Sequence, residues 1–320
     1  MKSLPTIDDV RAAAARIAPH AHRTPVLTSA SLDEIAGAAL FFKCESFQRC
    51  GAFKFRGACN AVMSLSDEVA ARGVATHSSG NHAAALALAA RIRGIPAHVV
   101  MPANAKAVKK AAVAAYGADI TFCEPTLAAR ESTLASVVAA TGASVVHPYN
   151  DARVIAGQGT AALELLDAVS GLDAIVTPVG GGGLLSGTAV TVAALAPLVR
   201  VVAGEPAGAD DARRSLAAGT IVPSVDPVTI ADGLLTSLGD LTFAIISRHV
   251  EGIVAVSEDE IIHAMRLIWE RLKIIVEPSS AVALAAALAG GTAGARRVGV
   301  VLSGGNVDLE TLPWSRPFST

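Results

Sequence analysis

Short apolar runs of strand length recur along the chain, and longer Ala-rich stretches with helical spacing separate them. ALFFKC, GVATH, AHVVM, DITFC, SVVHP, AIVTPV, RVVAGE, GIVAVS and RVGVVLS read as strands, continuous in apolar character and rich in β-branched residues. Residues 81–93, 106–116, 127–140, 157–169 and 258–271 read as helices, and so does the amphipathic opening MKSLPTIDDVRAAAARIAPH, acidic in its first turn and basic later. Strands buried on both faces and alternating with helices predict an α/β fold: two mostly parallel twisted sheets flanked by helices, with a ligand in the cleft beyond the strand ends.

No internal repeat or low-complexity tail marks a boundary. Four βα-like units lie between about Gly73 and Tyr149. They predict a small mobile domain over 73–149, inserted into a larger one built from 1–72 and 150–320.

Composition narrows the partners. The 320 residues are 52% hydrophobic and 17% charged with a net charge of -2, so the chain lacks the basic footprint of a nucleic-acid binder. Cys44, Cys50, Cys59 and Cys123 show no C-x-x-C spacing, which fits reduced thiols in a cytoplasmic protein. The 26 uncharged residues 174–199 are long enough to span a bilayer, but Pro178, four consecutive glycines and Pro197 divide them into strand, loop and helix. No signal peptide or membrane span is expected, and the expected partner is a small molecule.

Four stretches carry chemistry. PVGGGGLLSG (178–187) follows a strand and opens a helix, so consecutive backbone N–H groups and a helix dipole converge on an anion. It is neither G-x-G-x-x-G nor a P-loop, which favours a phosphate other than a nucleotide's. In GAFKFRGACNA (51–61), Lys54 stands between Phe53 and Phe55 with Arg56 close behind. Alone it reads as a surface lysine laid over phenylalanines; desolvation by the aromatics and repulsion from Arg56 would instead keep the amine neutral, as a Schiff base requires. HSSGNH (77–82) places two hydroxyls and a glycine before a helix, a carboxylate site in form, while its two histidines fit no metal-ligand spacing. VLSGGN (301–306) ends a strand in a hydroxyl and two glycines. A reactive lysine, a phosphate cradle and a carboxylate pocket together point to pyridoxal phosphate.

At these places the chain resembles the pyridoxal-phosphate-dependent serine/threonine dehydratase and serine racemase family, of the tryptophan-synthase-β-like fold. The likeness runs through TPVLTS, FKCESFQRCGAFKFRGA, SSGNH, HPYN, VIAGQGT, PVGGGG, GEPAGADD and LSGGN. It implies that Lys54 binds the cofactor aldehyde and acts as general base, that Gly180, Gly181, Gly182 and Gly183 hold the phosphate, and that Asn81 meets the 3-hydroxyl. It further implies Ser303 at the pyridine nitrogen, Phe53 near the ring, Asn150 close by, and Ser78, Ser79, Gly80 and His82 around the substrate carboxylate. In GEPAGADD, Glu205, Asp211 and the Ala209 carbonyl resemble a site for Mg²⁺, Mn²⁺ or Ca²⁺, whose preference is for hard oxygen donors.

The implied reaction is dehydration of L-threonine or L-serine to a 2-oxo acid and ammonia. Alternatives are 3-hydroxyaspartate ammonia-lyase, serine racemase, and a non-catalytic pyridoxal-phosphate carrier. Ser79 stands where racemases place their second acid/base; Arg130 falls where some members carry an arginine suited to a second carboxylate. HPYND, in place of the racemases' HPNQ, leans toward the threonine dehydratases. A homodimer is expected, and the end of the chain soon after LSGGNVDL predicts no regulatory domain.

Overall fold

The computed structural model describes residues 3–314 other than 79 and 106, with the side chains of 107–109 also outside it. The first part of the chain forms α1 (Ile7–Ile17), β1 (Val26–Leu27), α2 (Ala30–Ala36), β2 (Ala39–Cys44), α3 (Lys54–Met63) and α4 (Asp67–Ala70). Next come β3 (Val74–His77), α5 (Asn81–Arg93), β4 (Ala97–Pro102), α6 (Ala107–Ala115), β5 (Asp119–Cys123), α7 (Leu127–Thr141) and β6 (Ser144–Val145). The rest supplies α8 (Ala152–Ala168), β7 (Ala174–Pro178), α9 (Gly183–Leu195), β8 (Arg200–Pro206), α10 (Asp211–Ala218) and α11 (Asp240–His249). It closes with β9 (Gly252–Val256), α12 (Glu258–Leu267), α13 (Pro278–Ala286) and β10 (Arg297–Leu302).

Two sheets result, as the alternating pattern predicts. The larger runs β1-β2-β10-β7-β8-β9 and is parallel except for β1, which pairs antiparallel with β2. The smaller runs β5-β4-β3-β6, wholly parallel, and uses only residues 74–145. In the larger sheet successive side chains point to opposite faces. Val176, Val202 and Val300 pack with α12 and α13, while Ile175, Val201 and Val301 pack with α8, α9 and α11. Burial on both faces explains why these strands read as unbroken apolar runs. Among the described residues no helix is long and apolar enough to cross a membrane.

Two helix ends differ from expectation. The helix expected over 157–169 starts at Ala152, because the Asp151 side chain accepts the Arg153 N–H and caps it. Gly157 does not break that helix: a Cβ there would lie 2.6 Å from the Cα of Gly57, so the glycine permits close approach of α3 and α8. The helix expected over 258–271 stays α-helical to Leu267 and then widens into one π-helical turn, Ile268–Leu272, closed by Lys273 in a left-handed conformation.

Candidate active site

Lys54 is the first residue of α3, and the Phe53 N–H that precedes it donates to the Ser303 carbonyl at 2.9 Å. Ala52 forms an isolated bridge with Gly304, and Gly305 N–H donates to the Gly51 carbonyl at 2.9 Å. The lysine turn and the serine-glycine turn, some 250 residues apart, are therefore one backbone unit. Lys54 Nζ donates to the Pro148 carbonyl at 2.9 Å and lies 5.0 Å from the centre of the Phe53 ring. Burial lowers its pKa to about 8, opposed by the negative charge of Glu277.

The company expected of Lys54 needs correction. Arg56 does not repel it: Glu45 takes Nε and Nη2 at 2.7 and 2.9 Å, and Glu164 takes Nη1 and Nη2 at 2.8 and 2.9 Å, so the guanidinium is fully buried and neutralised. Two residues apart on a helix point about 200° apart, which turns Arg56 away. Phe55 packs into the apolar cluster between α3 and α5. Phe53 alone keeps its expected place beside the amine.

The glycine loop meets the same spot through the next residue of the 147–150 segment. A Cβ on Gly181 would lie 2.3 Å from Cδ1 of the Tyr149 ring, and one on Gly183 would lie 3.0 Å from Tyr149 Cβ. One on Gly180 would lie 2.8 Å from the Leu234 backbone, and Gly182 combines φ +86° with close contact to Ile246. The run leaves little room for side chains, and it opens onto the N-terminus of α9, an anion-seeking arrangement that suits a phosphate.

The turn that starts α5 closes a third side. Ser78 Oγ accepts the Gly80 N–H at 3.3 Å; Ser79 lies outside the described residues. Asn81 Nδ2 donates to Glu277 Oε1 at 2.7 Å, and its Oδ1 accepts from Asn306 Nδ2 at 2.9 Å. Each amide end keeps one further hydrogen-bonding capacity, enough for a ring hydroxyl. His82 departs from expectation. It is buried, with Nε2 3.1 Å from the Val146 carbonyl and Nδ1 without a partner, and burial, then the charge of Lys54, pushes its pKa down to about 3. The neutral ring donates Nε2–H to that carbonyl and holds the turn, leaving no donor for a carboxylate.

Further residues went unnoticed in the sequence. His147 Nδ1 accepts the N–H groups of Tyr149 and Asn150 at 3.3 and 2.9 Å, and its ring sits edge-on between His77 (6.1 Å) and Tyr149 (4.6 Å). Arg130 lies on the first turn of α7 with Nε donating to the Thr126 carbonyl at 3.3 Å; burial, then the charge of Arg130, lowers the pKa of His77. Asn150 instead ties the loop before α11, with Nδ2 donating to Asp240 at 2.5 Å and Oδ1 accepting the Leu241 N–H at 3.0 Å. Glu277 had a weak signal, an acid before Pro278 in an apolar run.

The acidic pair stands apart, at the end of β8. Both oxygens of buried Glu205 accept N–H groups of α10, from Ala212 and Arg213 at 2.8 Å each. Neither oxygen of buried Asp211 makes a hydrogen bond of ordinary geometry. Burial raises Glu205 to about 8 and Asp211 to about 6. Asp211, buried without such partners, and Glu205, raised by burial despite its two, fit a cation, although among the described residues no three His, Cys, Asp or Glu side chains cluster as ligands. Ala209 sits between them in a short 3₁₀ turn.

Residues 17–304 match the model of a family described as pyridoxal-phosphate dependent enzyme. The chain is 57% identical over 313 residues to a beta-hydroxyaspartate dehydratase of Paracoccus denitrificans, covering 98% of this chain and 99% of that protein. Its fold superposes on maize serine racemase with a TM-score of 0.95 at 48% identity, covering 97% and 96% of the two chains. On the T.th. threonine deaminase the TM-score is 0.91 at 44% identity, covering 96% and 100%.

Proposed function

The chain belongs to the family of pyridoxal-phosphate dependent enzymes, and on that premise we propose that it is an ammonia-lyase for β-hydroxy-α-amino acids, with 3-hydroxyaspartate as its preferred substrate. The observation that carries the preference is Arg130, half-buried on the first turn of α7, whose charge reaches His77 at the end of β3, one residue before the SSGN turn. A bidentate cation there suits a second carboxylate. The beta-hydroxyaspartate dehydratase relative supports the same reading. L-Threonine and L-serine share the reacting atoms but give Arg130 nothing to hold, and are expected as slower substrates.

Lys54 would hold the cofactor aldehyde, Gly180 to Gly183 its phosphate, Asn81 the ring hydroxyl and Ser303 the ring nitrogen, with Phe53 alongside. When bound, pyridoxal phosphate supplies the electron sink that acidifies the substrate α-carbon. Lys54 Nζ, near neutrality because it is buried, takes the α-proton. Ser78, Gly80, Ser79 and the N-terminus of α5 hold the α-carboxylate, while His82 fixes that turn from behind. The β-hydroxyl leaves with a proton as water; the released enamine takes up water and gives a 2-oxo acid and ammonia.

Glu205, Asp211 and the Ala209 carbonyl would hold a divalent cation, Mg²⁺, Mn²⁺ or Ca²⁺, in a structural or activating role. Residues 73–149 would move as a small domain against 1–72 and 150–320. The enzyme would work in the cytoplasm as a homodimer.

The test is a product assay with L-threonine, L-serine, D-serine and the threo and erythro 3-hydroxyaspartates, with and without Mg²⁺. Oxaloacetate formed with the highest kcat/KM supports the reading. D-serine as the main product from L-serine, or equal turnover of threonine and hydroxyaspartate, overturns it.

A further inference from the structure

Glu277 is a buried carboxylate that the roles above leave without work. It occupies the N-cap position of α13, yet its side chain makes no capping hydrogen bond there. Its Oε1 reaches across 196 residues of sequence to accept Asn81 Nδ2 at 2.7 Å. The same oxygen lies against Gly304, where a Cβ would stand 2.5 Å away, and the Glu277 N–H donates to the Gly304 carbonyl at 3.1 Å. Gly304 is the bridge partner of Ala52, two residues before Lys54. The backbone thus builds a slot that only a glycine at 304 leaves open, and a carboxylate fills it between the cofactor-facing amide and the lysine turn.

We infer that Glu277 is a positioning residue of the active site: its carboxylate fixes the orientation of the Asn81 amide and supplies negative charge beside the lysine turn. The Asn81 half rests on proton chemistry. A carboxylate accepts only, so Glu277 forces Nδ2 toward itself and leaves Oδ1 for Asn306, whose own Nδ2 also donates to the Cys50 carbonyl at 2.6 Å. The Lys54 half rests on the charges around the amine. His82 on α5 feels its charge and is neutral; His147 adjoins the Pro148 carbonyl that accepts from Nζ; Arg56, on α3, is locked among carboxylates. Glu277 is the charge that opposes the effect of burial on Lys54. Without it the amine would give up its proton at lower pH and become a weaker base for the α-proton.

The inference rests on reading Lys54 as the cofactor-binding lysine, and the experiment separates the two. Full-length protein stripped of pyridoxal phosphate is mixed with it across pH 6 to 10, a range chosen to bracket the value of about 8 for Lys54, and uptake is followed by absorbance. Borohydride reduction and peptide mapping then identify the labelled lysine. Uptake needs the neutral amine, so its rate rises with pH through the Lys54 midpoint. In Glu277→Gln that midpoint is expected about one pH unit lower, and in Glu277→Asp, with its carboxylate withdrawn by one methylene, lower by a smaller step. If the label is on Lys54 and neither variant moves the midpoint, the inference is overturned; label elsewhere overturns the reading of Lys54 itself. Should Glu277→Gln not yield folded protein, Glu277→Asp decides on the same criterion.

Discussion

The ring of Tyr149 occupies the space that a side chain at Gly181 would need, with Cδ1 2.3 Å from where a Cβ would stand. The ring is also held edge-on by His147 at 4.6 Å, and its neighbour Pro148 accepts the Lys54 hydrogen bond. If the 180–183 loop holds the cofactor phosphate, Gly181→Ala is expected to displace it and lower pyridoxal-phosphate affinity at least tenfold, about 1.4 kcal/mol, in an absorbance titration. Tyr149→Ala in the same chain should restore part of it, since the clash is with that ring. Unchanged affinity in Gly181→Ala would remove the loop from the phosphate site.

The elements that build this candidate site are legible where their signals are local. A strand followed by GGGG and an apolar helix states its geometry within ten residues, and the turn before α5 does the same. What misled was adjacency. Lys54 and Arg56 are neighbours in sequence, but the helix that begins at Lys54 turns them to different sides. Glu277 and Tyr149 act only through partners brought close by the two sheets. The glycines of α8 serve contact with α3 and α9, partners that the sequence does not place beside them.

Buried and neutral His82 makes the fold acid-sensitive. Its folded pKa, about 3, lies below its ordinary value of 6.5, so between those limits the unfolded chain binds the extra proton and stability falls as pH falls. From pH 7 to 5 the loss assigned to this residue is about 2 kcal/mol. Urea unfolding at several pH values checks it: His82→Gln, which can keep a donor to the Val146 carbonyl, should flatten the slope by close to one proton. An unchanged slope would mean His82 is not neutral in the fold.

Arg56 should matter more to stability than its position beside Lys54 suggests. It joins Glu45 and Glu164, with Lys43 completing the group at 2.5 Å from Glu164, and both Arg56 and Glu45 are fully buried. Arg56→Met leaves carboxylates buried without their main partner, an expected cost of about 3–5 kcal/mol in urea denaturation. Replacement by Lys should recover only a fraction, since one ammonium cannot match the fork of donors. A loss under about 1 kcal/mol would show that the cluster is solvated.

If Glu205 and Asp211 bind a cation, a thermal shift follows. With Mg²⁺ or Ca²⁺ at a hundred times its Kd, stability should rise by about 2.7 kcal/mol over EDTA-treated protein, and calorimetry reads it directly. Asp211→Asn should abolish the response while leaving the α10 N-terminus capped, because Glu205 supplies those caps. A full response in Asp211→Asn would place any cation elsewhere.

Arg130 gives the sharpest separation of substrates. If its guanidinium holds the second carboxylate, removing it costs the hydrogen bonds to a charged group, about 1.5–3 kcal/mol, or roughly 10- to 150-fold in kcat/KM for 3-hydroxyaspartate. L-Threonine, with a methyl in that place, should lose less than about twofold. Because Arg130 is anchored by its own Nε to Thr126 on the first turn of α7, Arg130→Lys keeps the charge but not the fork, and should fall between wild type and Ala for the dicarboxylate alone. Equal losses on both substrates would mean that Arg130 shapes the small sheet instead of reading the side chain of the substrate.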